Sequence, residues 1–118
     1  MIVDDSQDVR RLLREVLAPL TRDIIECATG RDALNRFAEE KPDLTVMDLR
    51  LPEMDGLTAI RLLRKAWPSC QVVVLTQCDE PALRQAARDA GARDYVLKDD
   101  LHELTERLAR FAPRSTQE

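Results

Sequence analysis

Histidine and cysteine, which carry many catalytic and zinc sites, are scarce in this chain. His102 is the single histidine among 118 residues, so Ser-His-Asp catalysis and multi-histidine metal sites are nearly excluded. The three cysteines, Cys27, Cys70 and Cys78, are an odd number without C-x-x-C spacing, which argues against a disulfide framework and a zinc site. We expect reduced, buried or half-buried thiols, and we expect His102 to decorate a helix.

Long apolar runs and an excess of basic residues are also lacking. No run approaches the ~20 apolar residues of a membrane span, and the N-terminus has no basic region followed by an apolar stretch. The chain carries 18 Lys and Arg against 22 Asp and Glu, a net charge of −4. This balance argues against direct nucleic-acid contact by the domain. The default expectation is a cytoplasmic domain without membrane contact.

The apolar pattern divides the chain into strands that alternate with helices. Short apolar runs predict strands, and apolar residues at i, i+3 and i+4 predict helices. The predicted strands are 1–3, 23–28, 44–48, 71–76 and 94–97. The predicted helices are 9–17, 31–40, 58–66, 81–91 and 101–111. The alternation predicts one α/β domain over 1–112, a parallel sheet with helices on both faces, followed by a polar tail or linker start at 113–118.

Asp48 interrupts an apolar run at the end of the third predicted strand. A carboxylate there is costly to bury unless it meets water, a metal or a partner. Pro52 prevents the strand from continuing, and we expect Gly56 to allow a tight turn before the next helix. Asp48 is therefore predicted to lie at the lip of the sheet, with a loop folding back beside it.

The carboxyl ends of the predicted strands collect the polar residues Asp4, Asp5, Asp48, Thr76 and Lys98. Ligands of parallel sheets bind beyond these ends. Three carboxylates brought together repel one another unless a divalent cation neutralises them, and oxygen ligands without histidine favour Mg²⁺. Lys98 suits a phosphoryl oxygen, or Asp48 itself when no phosphate is present, and Thr76 offers a hydroxyl. A carboxylate flanked by Mg²⁺ and lysine is equipped to attack phosphorus and form an acyl phosphate.

The residues at these strand ends and in the loops beside them also match a known family. The matching residues are Val3, Asp4, Asp5, Met47, Asp48, Pro52, Asp55, Gly56, Leu75, Thr76, Tyr95 and Lys98. With these residues at similar spacing, almost the whole chain resembles the receiver domain of two-component response regulators. The resemblance implies a flavodoxin-like doubly wound five-stranded parallel sheet in the order 2-1-3-4-5, with five helices. The segment 97–99 is similar to receivers joined to DNA-binding output domains of the LuxR/FixJ-like class.

The resemblance assigns roles to the site residues. Asp48 would accept a phosphoryl group from the phosphohistidine of a sensor histidine kinase. Asp5, Asp48, Asp4 through water, and the backbone carbonyl of Arg50 would hold Mg²⁺. Lys98 would contact a phosphoryl oxygen. The only reactions of the domain would be self-phosphorylation and autodephosphorylation, so it would not be an enzyme acting on other substrates.

The resemblance also implies a switch. Thr76 would swing toward the phosphoryl group and Tyr95 would move inward, so phosphorylation would favour one of two arrangements. Gln77 stands where the family usually has a small residue and is expected to modulate donor or water access. Arg50 and Cys78 occupy positions that commonly tune phosphoryl lifetime in the family. The implied outcomes are homodimerisation on phosphorylation and control of transcription through a C-terminal output domain.

Two other classes of function remain open. The chain is also compatible with a receiver-like interaction module that works without phosphorylation, because Gln77 and the short first strand are irregular. A Mg²⁺-dependent phosphohydrolase that uses Asp48 as nucleophile is disfavoured, since haloacid-dehalogenase-like enzymes carry an acid where this chain has Arg50. The chain also lacks a cap domain to hold a substrate.

Overall fold

The computed structural model describes residues 1–111, which form the predicted alternation of five strands and five helices. The predicted tail at 113–118 lies outside the described residues, as does the last residue of the predicted domain. The elements are β1 (Ile2–Val3), α1 (Gln7–Leu17), β2 (Glu26–Cys27), α2 (Gly30–Glu40), β3 (Thr45–Met47), α3 (Gly56–Ala66), β4 (Val72–Thr76), α4 (Pro81–Ala90), β5 (Asp94–Leu97) and α5 (Leu101–Ala109).

All neighbouring strands pair in parallel, in the order β2-β1-β3-β4-β5. This order confirms the flavodoxin-like doubly wound sheet. Where β1 pairs with β3, Val3 lies opposite Met47. The chain therefore leaves β1 and β3 at the same level, and the residues that follow both strands emerge side by side.

Two apolar layers cover the sheet, one on each face. Phe37 from α2 and Ile60 from α3 belong to one layer, whereas Leu13 from α1 and Leu104 from α5 belong to the other. Side chains of a strand alternate between its faces, and all five residues of β4 (Val72–Thr76) are buried. Burial on both faces explains why β4 has a continuous apolar run instead of an alternating one.

Capping side chains set where the helices begin. The hydroxyl of Ser6 accepts a hydrogen bond from the N–H of Val9 at the start of α1. Asp55 caps α3 in the same way, so α3 begins at Gly56, two residues before the predicted start. Pro81 occupies the first turn of α4, as predicted. None of the helices between residues 1 and 111 is long and apolar enough to cross a bilayer.

The second strand is shorter than predicted. The sequence pattern predicted a strand over 23–28, but only Glu26 and Cys27 pair with β1. The reason lies in the partner strand, because β1 consists of Ile2 and Val3 alone and offers no further positions to pair. Ile24 and Ile25 still pack against the apolar layers, one on each side.

Candidate functional site

Three carboxylates meet at the carboxyl edge of β1 and β3. Asp4 and Asp5 follow β1, and Asp48 follows β3, where its N–H donates to the carbonyl of Val3 at 2.9 Å. One carboxylate oxygen from each of the three residues lies within 4.8 Å of the others. Asp4 and Asp48 are only 2% and 5% exposed, whereas Asp5 is exposed. The structure thus brings together the three acids that the sequence placed at one edge.

Lys98 supplies the positive charge of this cluster. Lys98 follows β5, which lies two strands away from β3 in the sheet. The backbone N–H of Lys98 donates to the carbonyl of Thr76 at 2.8 Å. Its ammonium nitrogen lies 2.8 Å from Asp4 Oδ2 and 3.0 Å from Asp48 Oδ2. One half-buried lysine therefore bridges two buried carboxylates, which offsets part of their mutual repulsion.

Burial and pairing shift the pKa values of these groups. Burial raises the pKa of Asp48, although the hydrogen bonds from Lys98 and from the Arg50 N–H act in the opposite direction. On Lys98 burial has the opposite effect and lowers the pKa. The hydrogen bonds of Lys98 to Asp4 and Asp48 outweigh that effect, so the pKa of Lys98 is raised. Lys98 is therefore an ammonium at neutral pH, bound to the site's own carboxylates.

Cys78 connects the two residues that were assigned to the switch. Its N–H donates to the Thr76 hydroxyl at 3.4 Å, and its carbonyl accepts from the Tyr95 hydroxyl at 2.7 Å. Thr76 is buried and Tyr95 is half-buried. Among the hydrogen bonds of residues 1–111, none joins Thr76 or Tyr95 to the carboxylates. Both residues contact the loop that follows β4 instead.

Arg50 lies at the outer rim of the site. Its backbone N–H donates to Asp48 Oδ1 at 3.3 Å, so its peptide sits next to the carboxylate, while its carbonyl as a metal ligand stays a prediction. Its guanidinium Nε lies 2.9 Å from Cys78 Sγ, which links the loops after β3 and β4. Gln77 is exposed, so its side chain is available to approaching molecules. His102 is exposed on α5 and lies outside the cluster.

Gly56 has a different role from the predicted tight turn. It is the first residue of α3, and the left-handed backbone in this loop belongs to Glu53, with φ 68°. A Cβ on Gly56 would collide with the carbonyl oxygen of Asp48 and would lie 2.7 Å from the Cα of Leu49. The glycine is therefore needed because the helix start touches the backbone that carries Asp48.

Two supporting contacts of Asp4 were not predicted. The N–H of Ser6 donates to Asp4 Oδ1 at 2.9 Å, and the guanidinium of Arg10 donates to the Asp4 carbonyl at 2.6 Å. The Ser6 contact has a sequence signal, since an aspartate two residues before a helix N-cap often bonds the backbone there. The Arg10 contact has none, because it depends on the angle at which α1 leaves the sheet.

The comparisons with known proteins agree with this geometry. The profile of the response regulator receiver domain matches residues 1–109. The chemotaxis protein CheY of Thermotoga maritima is 32% identical over 83% of this chain and 82% of its own length. The KDP operon transcriptional regulatory protein KdpE of Escherichia coli is 42% identical over 83% of this chain but 43% of its own length.

Solved structures show the same fold. The two-component response regulator of the LuxR family from Aurantimonas superimposes with a TM-score of 0.87 and 31% identity, over 92% of this chain and 80% of that one. The match covers less than half of the length of KdpE, which is named as a transcriptional regulatory protein. The matched residues include β1, β3, β4 and β5, the strands whose carboxyl ends form the acidic cluster. The chain therefore belongs to the family of response regulator receiver domains.

Proposed function

We propose that this receiver domain accepts a phosphoryl group on Asp48 from the phosphohistidine of a sensor histidine kinase. A carboxylate oxygen of Asp48 forms the bond to phosphorus while the bond from phosphorus to the imidazole nitrogen breaks, and the electron pair stays on that nitrogen. The observation that carries the proposal is the Lys98 ammonium, 3.0 Å from Asp48 Oδ2 beside two further carboxylates. A cation at this place balances the charge of the incoming phosphoryl oxygens.

The residues fit a Mg²⁺ ion. The cluster of Asp4, Asp5 and Asp48 offers hard oxygen ligands within 4.8 Å of one another, without histidine or thiolate. These three residues would hold the ion, together with the backbone carbonyl of Arg50. When bound, Mg²⁺ neutralises charge on the phosphoryl oxygens and on the acids. The exposed position of Asp5 leaves one side of the cluster open to solvent and to a phosphodonor.

Phosphorylation would redistribute the hydrogen bonds of the site. Lys98 would exchange its bond to Asp48 for one to a phosphoryl oxygen, because the phosphoryl group carries more negative charge than the carboxylate. The Thr76 hydroxyl, now an acceptor from the Cys78 N–H, would donate to another phosphoryl oxygen. These contacts exist only in the phosphorylated arrangement, so they favour that arrangement and displace the loop after β4.

The consequences reach beyond the domain. We propose that the altered surface controls an output, transcription through a C-terminal DNA-binding domain, and that it promotes homodimerisation. The match to KdpE, a transcriptional regulatory protein of which the match covers 43%, supports this direction. We further propose a cytoplasmic protein whose own chemistry is limited to self-phosphorylation and autodephosphorylation, with Arg50, Gln77 and Cys78 modulating access to Asp48.

The test is intact mass after incubation with acetyl phosphate and Mg²⁺. We expect the wild type to gain the mass of one phosphoryl group, and Asp48→Asn to gain none. Asp23→Asn, an exposed aspartate away from the cluster, is the matched control and should gain the group like the wild type. EDTA should abolish the gain. A phosphoryl group on Asp48→Asn would contradict the assignment of Asp48.

A further inference from the structure

Asp5 is held less firmly than the other two acids of the cluster. Lys98 pairs with Asp4 at 2.8 Å and with Asp48 at 3.0 Å. The Asp5 carboxylate is exposed, and within residues 1–111 it takes part in no hydrogen bond or ion pair. Its place near the other two carboxylates is therefore set by the backbone that carries it, the peptide between Asp4 and Asp5.

The carbonyl of that peptide accepts a hydrogen bond from Arg10. Strand pairing ends just before it, because the Asp4 N–H still donates to the carbonyl of Cys27 at 3.0 Å but β2 ends at Cys27. The guanidinium of Arg10 continues the pairing beyond the strand, since its Nη1 donates to the Asp4 carbonyl at 2.6 Å. Asp4 is only 2% exposed, and a buried carbonyl without a donor is costly. The bond therefore fixes the orientation of the peptide.

Glu26 on β2 orients the guanidinium of Arg10. Arg10 Nε lies 3.1 Å from Glu26 Oε1, and the Arg10 side chain is 16% exposed. A planar guanidinium that is bound at two of its nitrogens has little freedom to turn. Arg14, one turn further along α1, lies 3.1 Å from the other oxygen of Glu26 and has no bond to Asp4 in the described part of the chain. The two arginines share one carboxylate, but only Arg10 connects it to the acidic cluster.

We propose that Arg10 is a positioning residue. By holding the carbonyl of Asp4, it orients the peptide that carries Asp5 and places the Asp5 carboxylate beside those of Asp4 and Asp48 for a hard divalent cation. This inference rests on the proposed function, which uses that cation. Removing a partner that orients metal ligands typically weakens metal binding by about 10- to 100-fold. Because Arg10 acts through the backbone, we expect a loss of about tenfold, at the lower end of this range.

Two charge-matched double variants test the role of Arg10, with Mn²⁺ as the probe and electron paramagnetic resonance of free Mn²⁺ as the measurement. Arg10→Met/Glu26→Gln and Arg14→Met/Glu26→Gln each lose one positive and one negative charge, and only the first removes the donor to Asp4. We expect the first to bind Mn²⁺ about tenfold more weakly than the wild type, and the second to bind it like the wild type. Loss of the nearer cation alone would favour a divalent cation, so charge cannot explain the weaker binding.

The contact also has a spectroscopic signature that needs no metal. A hydrogen bond deshields a carbonyl carbon, so the ¹³C resonance of the Asp4 carbonyl, correlated with the Asp5 N–H, should move upfield in Arg10→Met. The resonance should stay in place in Arg14→Met, which removes an ion pair of the same length to the same carboxylate.

A conservative variant separates positioning from general damage. Arg10→Lys keeps the charge but not the fork of donors, so it should bind Mn²⁺ with an affinity between those of the wild type and Arg10→Met/Glu26→Gln. Far-ultraviolet circular dichroism checks that each variant is folded. If the double variant does not fold, Arg10→Lys and the carbonyl resonance still decide the question.

Two results would overturn the proposal. The first is an Asp4 carbonyl resonance that is the same in Arg10→Met as in the wild type, and the second is equal Mn²⁺ affinity in the two double variants. The mass measurement on the same samples keeps the two ideas apart. If the wild type takes no phosphoryl group but the double variants differ in Mn²⁺ affinity, the proposed function fails and the role of Arg10 stands. If the wild type is phosphorylated and the double variants bind Mn²⁺ equally, only the role of Arg10 fails.

Discussion

Leu63 and Asp48 are both buried, with 0% and 5% of their surface exposed, but burial acts on them in opposite directions. Leu63 lies in the apolar layer beside β4, where removal from water stabilises the fold. Asp48 lies at the carboxyl edge, where removal from water destabilises its charged form and leaves it dependent on Lys98. The layers stabilise the domain, whereas the edge holds charges whose burial destabilises it. Under the proposed function, those charges are the ones that receive the phosphoryl group.

The largest expected effect is in the apolar layer. Leu63→Ala should lower the free energy of unfolding by about 2–5 kcal/mol, because it removes buried methyl groups and leaves a cavity. Its neighbour Leu62 is 40% exposed on the same helix, so Leu62→Ala is the matched control and should cost less than about 1 kcal/mol. Urea denaturation measures both. Equal losses for the two variants would break the distinction between layer and surface.

An intermediate effect is expected from removing the cation of the edge. Lys98→Met leaves Asp4 and Asp48 buried without their ammonium partner, which should cost about 1–3 kcal/mol at neutral pH. The pKa of Lys98 is raised in the folded state, so its contribution is complete below the ordinary lysine pKa and is lost as the pH rises through the raised value. The exposed Lys65→Met is the control for loss of a positive charge.

The cost of Lys98→Met should also shrink at acid pH. Without the ammonium the pKa of Asp48, which burial already raises, rises further, so the folded variant takes up a proton more readily than the unfolded chain. Denaturation curves at a series of pH values compare the variant with the wild type. A difference that stays constant as Asp48 becomes protonated would show that lost packing, not charge, accounts for the loss.

The smallest expected effect has the opposite sign. Burial raises the folded-state pKa of Asp48, so this carboxyl favours folding most at low pH, below its unfolded pKa, and opposes it once the pH rises through the folded value. Asp48→Asn should therefore raise stability at neutral pH, by about 1 kcal/mol or less. The gain over the wild type should disappear in acid. Asp23→Asn should show neither the gain nor its pH dependence.

The sequence predicted the regular strands and helices better than the loops between them. The strand over 71–76 and the helix over 58–66 were predicted from local pattern alone, and the structure has β4 and α3 at these places. The meeting of Asp4, Asp5 and Asp48 was also predicted, because parallel strands align their carboxyl ends at one edge. A regular backbone with a fixed period makes such inferences possible.

The loops were predicted less well, because their course has no period. The close approach of Gly56 to the backbone of Asp48 was taken for a turn, and the contact of Arg10 with the carbonyl of Asp4 was not anticipated. Each depends on where an irregular segment places a helix start. The shortened β2 is a further case, since its length is set by the two residues that its partner offers.

The three contacts of Cys78 have a consequence for sequence variation. Two of them, to Thr76 and Tyr95, use the main-chain N–H and carbonyl, whereas only the contact to Arg50 uses the thiol. Every residue type except proline brings the same N–H and carbonyl to this position. Mutation at position 78 would therefore change the side-chain link to Arg50 and keep the two main-chain hydrogen bonds. Under the proposed function, homologues could then differ in how long the phosphoryl group persists and still share one connection between Thr76 and Tyr95.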